Sequence, residues 1–161
     1  MKTVICPGSF NPITNGHLDI IRRASLLFDR VVVAVLRNAK KDCEFSVEER
    51  VEMIRDCVAD LPNVEVAWHD GLLADYAKSI GAVAIVRGLR AVTDFENEFQ
   101  MALVNRELNG EAQTIFFTAS PEYMFLSSSA VREVASHGAD ISNFVPPQVV
   151  DRVAAKYKKE V

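Results

Sequence analysis

Short β-branched runs alternate with longer amphipathic stretches along almost the whole chain, and this alternation constrains the fold more than any other feature. Lys2–Cys6 and Arg30–Leu36 (RVVVAVL) are short and rich in β-branched residues, so both read as buried strands. Between them Leu18, Ile21, Ala24, Leu27 and Phe28 recur at helical spacing. A strand–helix–strand unit of this size implies a parallel pair joined by a right-handed crossover. The pattern then repeats. SVEERVEMIRDCVADL opens with a capping box, Ser46 to Glu49, and continues as a helix; NVEVAW reads as a strand. LLADYAKSIG is a helix that Gly81 stops, and AVAIV (82–86) is a strand. Thr93–Leu108 is a helix ending at Asn109-Gly110, and QTIFFT (113–118) is a fifth strand. Ser128–His137 is a helix stopped by Gly138, and Pro146-Pro147 open a last helix that runs to about Lys158. The expectation is an α/β, doubly wound, five-stranded parallel sheet with helices on both faces, forming a single domain over residues 1–161.

Bulk properties narrow the function classes. At 161 residues the chain is long enough for one real core, and 49% hydrophobic with 25% charged residues argues against disorder. A net charge of −4 disfavours a general nucleic-acid binder, although a local basic cluster can still hold a small anion. Three cysteines, Cys6, Cys43 and Cys57, are too sparse and odd in number for a disulfide framework, and no C-x-x-C or Cys/His spacing suggests zinc. Pro7 and Gly8 cut the first apolar run far short of a signal peptide, and no run reaches the roughly 18 residues of a membrane span. The expected setting is cytoplasmic, with no membrane and no nucleic acid as partners.

Doubly wound sheets bind ligands beyond the carboxyl ends of their strands, so five segments matter. They are PGSFNPITNGH, RNAKKDCEF, HDGLL, RGLRAVTDFENE and TASPEYMFLSSSAVR. Four of them carry groups suited to phosphate: Ser9 with His17, Lys40 with Lys41, Arg87 with Arg90, and Ser127 to Ser129. In an acidic protein, cations gathered on one sheet edge imply an anionic ligand. Gly16 lets a ligand approach the backbone at a helix start, where the exposed N–H groups favour an anion and His17 adds a donor. Pro7, Gly8 and Pro12 stiffen the loop before it. Hydroxyls at the Ser127–Ser129 helix start can either cap the helix or cradle phosphate. His69, Trp68 and His137 read as structural, and the Phe95/Phe99 pair at (i, i+4) as core rather than a stacking platform.

Several common chemistries are missing. G-x-x-x-x-G-K-[ST] is absent, which excludes a P-loop NTPase, and no G-x-G-x-x-G follows a strand, which disfavours a dinucleotide oxidoreductase. G-x-S-x-G is absent too, and none of the strand-end segments offers a nucleophile with its base. What remains is a site that positions and neutralises phosphates without a covalent intermediate, as in direct phosphoryl or nucleotidyl transfer.

With these residues assembled, the chain resembles a known family. TNGH is similar to the T-x-G-H signature of the nucleotidyltransferase superfamily, and SSSAVR to its second signature, I-S-S-T-x-x-R. PGSFNPITNGH, the K-x-x-x-F-S-x-E-E-R stretch from Lys41 to Arg50, RGLRAVTDFENE and EYMFLSSS together resemble the bacterial phosphopantetheine adenylyltransferases over nearly the whole chain. The resemblance implies a Rossmann-like nucleotidyltransferase fold and a reaction in coenzyme A biosynthesis. ATP and 4′-phosphopantetheine would give dephospho-coenzyme A and pyrophosphate with Mg²⁺. Coenzyme A is the implied feedback ligand and a homohexamer the implied assembly. His17 would stabilise charge on the α-phosphate, and Ser9 and Phe10 would line the junction of the substrates. Lys41 and Arg87 would hold the acceptor phosphate, with Leu73 along the pantetheine arm. Gly88, Leu89, Arg90, Glu98, Tyr123, Met124, Phe125, Leu126, Ser127, Ser128 and Ser129 would form the nucleotide side.

Three positions depart from the family pattern. Ser9 replaces a common Thr and keeps the hydroxyl, Asn11 replaces a usual Asp, and Tyr123 replaces a Trp seen in some members. Lys41 rather than Lys40 fits the spacing to Phe45. The rival readings are a sister nucleotidyltransferase with another phosphate acceptor, against which RGLRAVTDFE argues, and a non-catalytic nucleotide-binding module, against which the convergence of His17, Lys41 and Arg87 argues. Lys41 follows the second strand, away from the serine-rich helix start, so Lys41→Ala is expected to weaken phosphopantetheine binding and leave ATP binding nearly unchanged. Separate calorimetric titrations check this; equal losses for both ligands would contradict it.

Overall fold

The structure, a computed structural model, describes residues 1–37 and 42–158. Its elements alternate as the sequence pattern requires: β1 (Thr3–Gly8), α1 (Asn15–Leu27), β2 (Arg30–Arg37), α2 (Val47–Cys57), β3 (Val64–Asp70), α3 (Leu73–Ser79), β4 (Ala84–Leu89), α4 (Val92–Leu108), β5 (Gln113–Thr118), α5 (Ser128–Ser136) and α6 (Val150–Lys156). Single 3₁₀ turns at Pro121–Tyr123 and Pro147–Val149 precede α5 and α6. All strand pairs are parallel, in the order β3-β2-β1-β4-β5. The chain winds outward from β1 to β3 and then crosses to the other side of β1, so strand order reverses between β1 and β4. In such sheets the crevice at that reversal is where ligands bind. The loop after β1 and the end of β4 therefore flank one cleft.

The two faces of the sheet are packed differently. On one, Val4, Cys6, Val31, Val33 and Val35 meet Ile21 and Ala24 of α1, Met53, Ile54 and Cys57 of α2, Val131 of α5 and Val153 of α6. On the other, Ile5, Ala34 and Ile85 meet Ala77, Ala82 and Ala112. Val4 and Cys6 face one way and Ile5 the other, and Val33 and Val35 one way and Ala34 the other, as the two-residue period of a strand requires. The alanine face lets the short helix α3 lie close to the sheet.

Several boundaries differ from the sequence reading: α2 stops at Cys57 short of Leu61, the last α-helix begins at Val150 after a 3₁₀ turn, and β4 begins at Ala84. β4 continues through Arg87, Gly88 and Leu89, which pair with Phe116, Phe117 and Thr118 of β5 rather than opening a loop. β1 and β3 likewise extend to Gly8 and Asp70, each matched residue by residue to β2. Ladder pairing with a neighbour sets a strand's end, and a change from apolar to charged side chains does not. The expectation that Phe95 and Phe99 are core is overturned. They stack on each other, with ring centroids 5.4 Å apart, yet are 42% and 48% exposed. α4 is apolar around much of its circumference, with Met101, Leu103, Val104 and Leu108 also exposed, so apolar spacing alone could not say which face is inside.

Candidate active site

The β1–α1 loop ends at Thr14, whose side chain accepts the His17 backbone N–H (3.2 Å) as the α1 N-cap. His17 returns the contact: the Thr14 N–H donates to Nδ1 at 3.0 Å, and the Thr14 hydroxyl also lies 3.1 Å from it. This is a capping box in which imidazole takes the place usually held by Glu or Gln. The geometry fixes the tautomer. A backbone N–H can only donate, so Nδ1 carries the lone pair and the neutral ring keeps its proton on Nε2. Nε2 has no partner among the described residues, and His17 lines the cleft. Burial, and next the Arg87 and Arg90 charges, push the His17 pKa from the usual 6.5 down to about 4. Protonation would also set a second donor against the Thr14 N–H. His17 is thus a neutral Nε2–H donor at physiological pH.

The loop that leads to this cap is tightly specified. Phe10 has φ of +47°, a left-handed conformation that costs a non-glycine residue about 1–3 kcal/mol. Its buried ring meets His17 edge-on at 5.1 Å. The ring also lies over Gly8, where a Cβ would come within 3.0 Å of it. Gly16 differs, because a Cβ there would meet Tyr123 at an ordinary 3.5 Å. The protein alone therefore tolerates a side chain at 16; Gly16 lines the cleft, and the space it leaves open faces a ligand.

The cleft has a volume of about 380 Å³, within the usual range for small-molecule sites. Of the residues expected at the site, Ser9, Phe10, His17, Arg87, Gly88, Arg90 and Glu98 line it, with Tyr123, Leu126, Ser127 and Ser128 opposite. Leu73, Leu89, Met124, Phe125 and Ser129 are not among its lining residues. Lys41, like Lys40, falls outside the described residues.

Both arginines are already engaged by carboxylates of α4. Arg87 donates through Nε and an Nη to Glu98 at 2.7 and 2.6 Å, and through its other Nη to the Pro7 carbonyl at 2.7 Å. Glu98, expected on the nucleotide side, is therefore paired to the arginine expected on the acceptor side. Arg90 holds Asp94 through Nε (2.9 Å) and an Nη (3.2 Å), and its other Nη reaches the Leu126 carbonyl at 2.7 Å. That hydrogen bond to Arg90 is the main reason the Asp94 carboxyl titrates below the usual range. Each guanidinium keeps spare N–H groups and is held at a fixed angle. Cys6 lines the same cleft, but burial pushes its thiol up to about 12, so it is no nucleophile at neutral pH. The Ser127 hydroxyl caps α5 through the Ala130 N–H, and Ser128 donates to the Pro12 carbonyl.

Sequence reasoning missed Thr14 as the partner of His17, Asp94, and a buried arginine, Arg50. The last had a visible signal: position 50 lies on the same helical stripe as Met53, Ile54 and Cys57, which are buried with it.

A neutral histidine donor at one helix start, two fixed arginines and a serine-rich second helix start, all facing one cleft at the strand-order reversal, define a nucleotidyltransferase-type site. The cytidylyltransferase-like family matches residues 5–134. Phosphopantetheine adenylyltransferase of Caldanaerobacter subterraneus subsp. tengcongensis is 53% identical over 99% of both chains. Enzymes of the same name from Clostridium perfringens and Heliobacterium modesticaldum are 54% and 53% identical, covering 94% and 98% of this chain and 92% and 94% of theirs. A solved structure from Vibrio parahaemolyticus, provisionally assigned as a nicotinate-nucleotide adenylyltransferase, shares the fold with TM-score 0.67 at 20% identity, over 99% of this chain and 98% of that one. The chain belongs to the phosphopantetheine adenylyltransferase family within the cytidylyltransferase-like proteins.

The His17 geometry generates a pH prediction. Between about pH 4 and 6.5 the unfolded chain carries the His17 proton and the folded chain does not. Folding stability therefore rises with pH across this window and falls as pH drops toward 4. The His17 imidazole NMR resonance should titrate near 4, and His17→Gln should flatten the stability slope in urea unfolding. A midpoint near 6.5 would contradict the buried neutral donor.

Proposed function

We propose that the chain transfers the adenylyl group of ATP to 4′-phosphopantetheine, giving dephospho-coenzyme A and pyrophosphate, by direct in-line attack. The observation that carries this reading is the neutral Nε2–H of His17, held by Thr14 in a cleft where the one thiol, Cys6, is inert. Such a cleft suits electrostatic stabilisation better than covalent catalysis. As the acceptor phosphate attacks, negative charge grows on the α-phosphate oxygens, and a preorganised donor meets it at no cost in reorganisation. Lys41 and Arg87 hold the acceptor phosphate beside Ser9, and Leu73 lies along the pantetheine arm. Arg90 and the Ser127–Ser129 helix start neutralise the leaving pyrophosphate. Gly88, Leu89 and the Tyr123–Leu126 stretch take the nucleoside, and Glu98 acts on the cleft through Arg87.

Mg²⁺ fits this chemistry as a companion of the triphosphate. No group of three or more His, Cys, Asp or Glu residues among those described could hold a metal ion, and the cleft carboxylates Asp94 and Glu98 are both committed to arginines. Mg²⁺ commonly binds in this way, through substrate phosphates and retained water, where it neutralises developing charge. Coenzyme A carries both halves of the product and is therefore suited to act as a feedback ligand at the same cleft. The exposed apolar face of α4 is the kind of surface that self-association covers, in keeping with a homohexamer. No helix among the described residues is long and apolar enough to cross a membrane, and the proposed place of work is the cytoplasm.

Pyrophosphate release from ATP with a panel of phosphorylated acceptors tests the reaction. Release is expected with 4′-phosphopantetheine and not with nicotinate mononucleotide; the reverse would overturn the reading. In the same assay His17→Ala should lose about a hundred- to a thousandfold in turnover. It should still bind ATP within a few-fold, because the interaction strengthens only in the transition state.

A further inference from the structure

The Ser9–Phe10 loop and the strand end that leads into it are held by their carbonyls. Arg87 takes the Pro7 carbonyl at 2.7 Å, Arg132 the Asn11 carbonyl at 2.6 Å, and the Ser128 hydroxyl the Pro12 carbonyl at 2.7 Å. A further hold comes from α2. Arg50, on the first turn of α2 and only 3% exposed, donates through Nη to the Ser9 carbonyl at 2.8 Å and through Nε to the Ser46 carbonyl at 3.1 Å. No carboxylate lies within ion-pair distance of it among the described residues. A charged group this deeply buried is costly to desolvate, and here two backbone carbonyls rather than a carboxylate offset that cost.

The two carbonyls that Arg50 bridges belong to segments with different jobs. Ser9 directly precedes Phe10, whose left-handed backbone must be held in place by its surroundings and whose ring packs edge-on against His17. Ser46 caps α2 through the Glu49 N–H. A second bond ties the same pair of segments, since the Phe45 N–H donates to the Asn11 side-chain oxygen at 3.1 Å in a buried setting. Asn11 serves there as a neutral acceptor, so the contact does not require a carboxylate.

We propose that Arg50 is a positioning residue for adenylyl transfer. By gripping the Ser9 carbonyl it holds the Ser9–Phe10 turn, and through the Phe10 ring it holds His17 against the reacting phosphate, with the α2 helix start as its anchor. The inference rests on the proposed reaction. It touches neither ATP nor the acceptor directly, and Arg50 is not among the residues lining the cleft. Its loss should therefore show in turnover and not in ATP affinity, because a small misplacement of a catalytic donor costs rate without removing substrate contacts.

The test is a double-mutant cycle. Arg50→Met in the wild-type background should lower kcat about 10- to 100-fold and leave the calorimetric ATP Kd within about 3-fold. In the His17→Ala background the same change should cost less than about 3-fold, since there is no donor left to misplace. Arg50→Lys keeps the charge but only one donor centre for two carbonyls, and should fall between; it is read in the same way if Arg50→Met does not fold. Equal losses in both backgrounds, or a loss of ATP affinity parallel to the loss of turnover, would overturn the assignment in favour of a merely structural arginine. The His17 imidazole resonance separates this inference from the reaction itself. It should move in Arg50→Met or Arg50→Lys even if wild type proves to use another acceptor, and an unmoved resonance would overturn the grip on the loop.

Discussion

The reciprocal cap between Thr14 and His17 is the contact on which the rest of the site depends. A helix start needs its N–H groups satisfied, and in this chain the side chain that satisfies the N-cap N–H is also the one that faces the cleft. This reciprocal pair of hydrogen bonds fixes three things together: where α1 begins, which imidazole nitrogen holds the proton, and where the free nitrogen points. The surrounding arginines then act with burial to keep the ring neutral. A donor with its orientation and protonation both fixed before substrate arrives loses little when charge develops in front of it.

The arginines follow the same logic of fixing groups in advance. Arg87 and Arg90 each hold an α4 carboxylate with two hydrogen bonds and a backbone carbonyl with a third. The carbonyls lie at the end of β1 (Pro7) and on the segment before α5 (Leu126), so the two cations join the walls of the cleft to α4. An entering phosphate meets guanidinium groups of set direction, and their rotamer entropy has largely been lost on folding rather than on binding. Because Asp94 and Glu98 lie on α4, whose outer face is apolar and exposed, the arrangement of the cleft and any surface that covers α4 are mechanically linked.

Much of this was legible in the sequence. Strand and helix alternation gave the sheet class, and Ser9, His17, Arg87, Arg90, Ser127 and Ser128 line one cleft, because a doubly wound sheet has a defined place for ligands. What escaped was set by long-range packing. The extension of β4 through Leu89 depends on pairing with Phe116–Thr118, which local composition cannot show. Phe95 and Phe99 looked like core because apolar spacing marks an apolar face without saying whether anything covers it. Arg50 drew no reading of its own from the sequence, although its register with Met53, Ile54 and Cys57 placed it on the buried stripe. Asp94 was hidden for a simpler reason: an acidic residue in a first helical turn is ordinary, and only the folded chain shows it under Arg90.

The central claim is that the cleft transfers the adenylyl group in one step, with His17 as a donor and no covalent enzyme intermediate. The stereochemical course at the α-phosphorus tests it most directly. With ATP made chiral at that phosphorus by sulfur substitution, and with phosphopantetheine as acceptor, a single in-line displacement inverts configuration. Phosphorus NMR of the dephospho-coenzyme A thio-analogue should show inversion. Net retention would mean two displacements through an adenylylated side chain, and would contradict a site in which the Cys6 thiol is held protonated and His17 only donates.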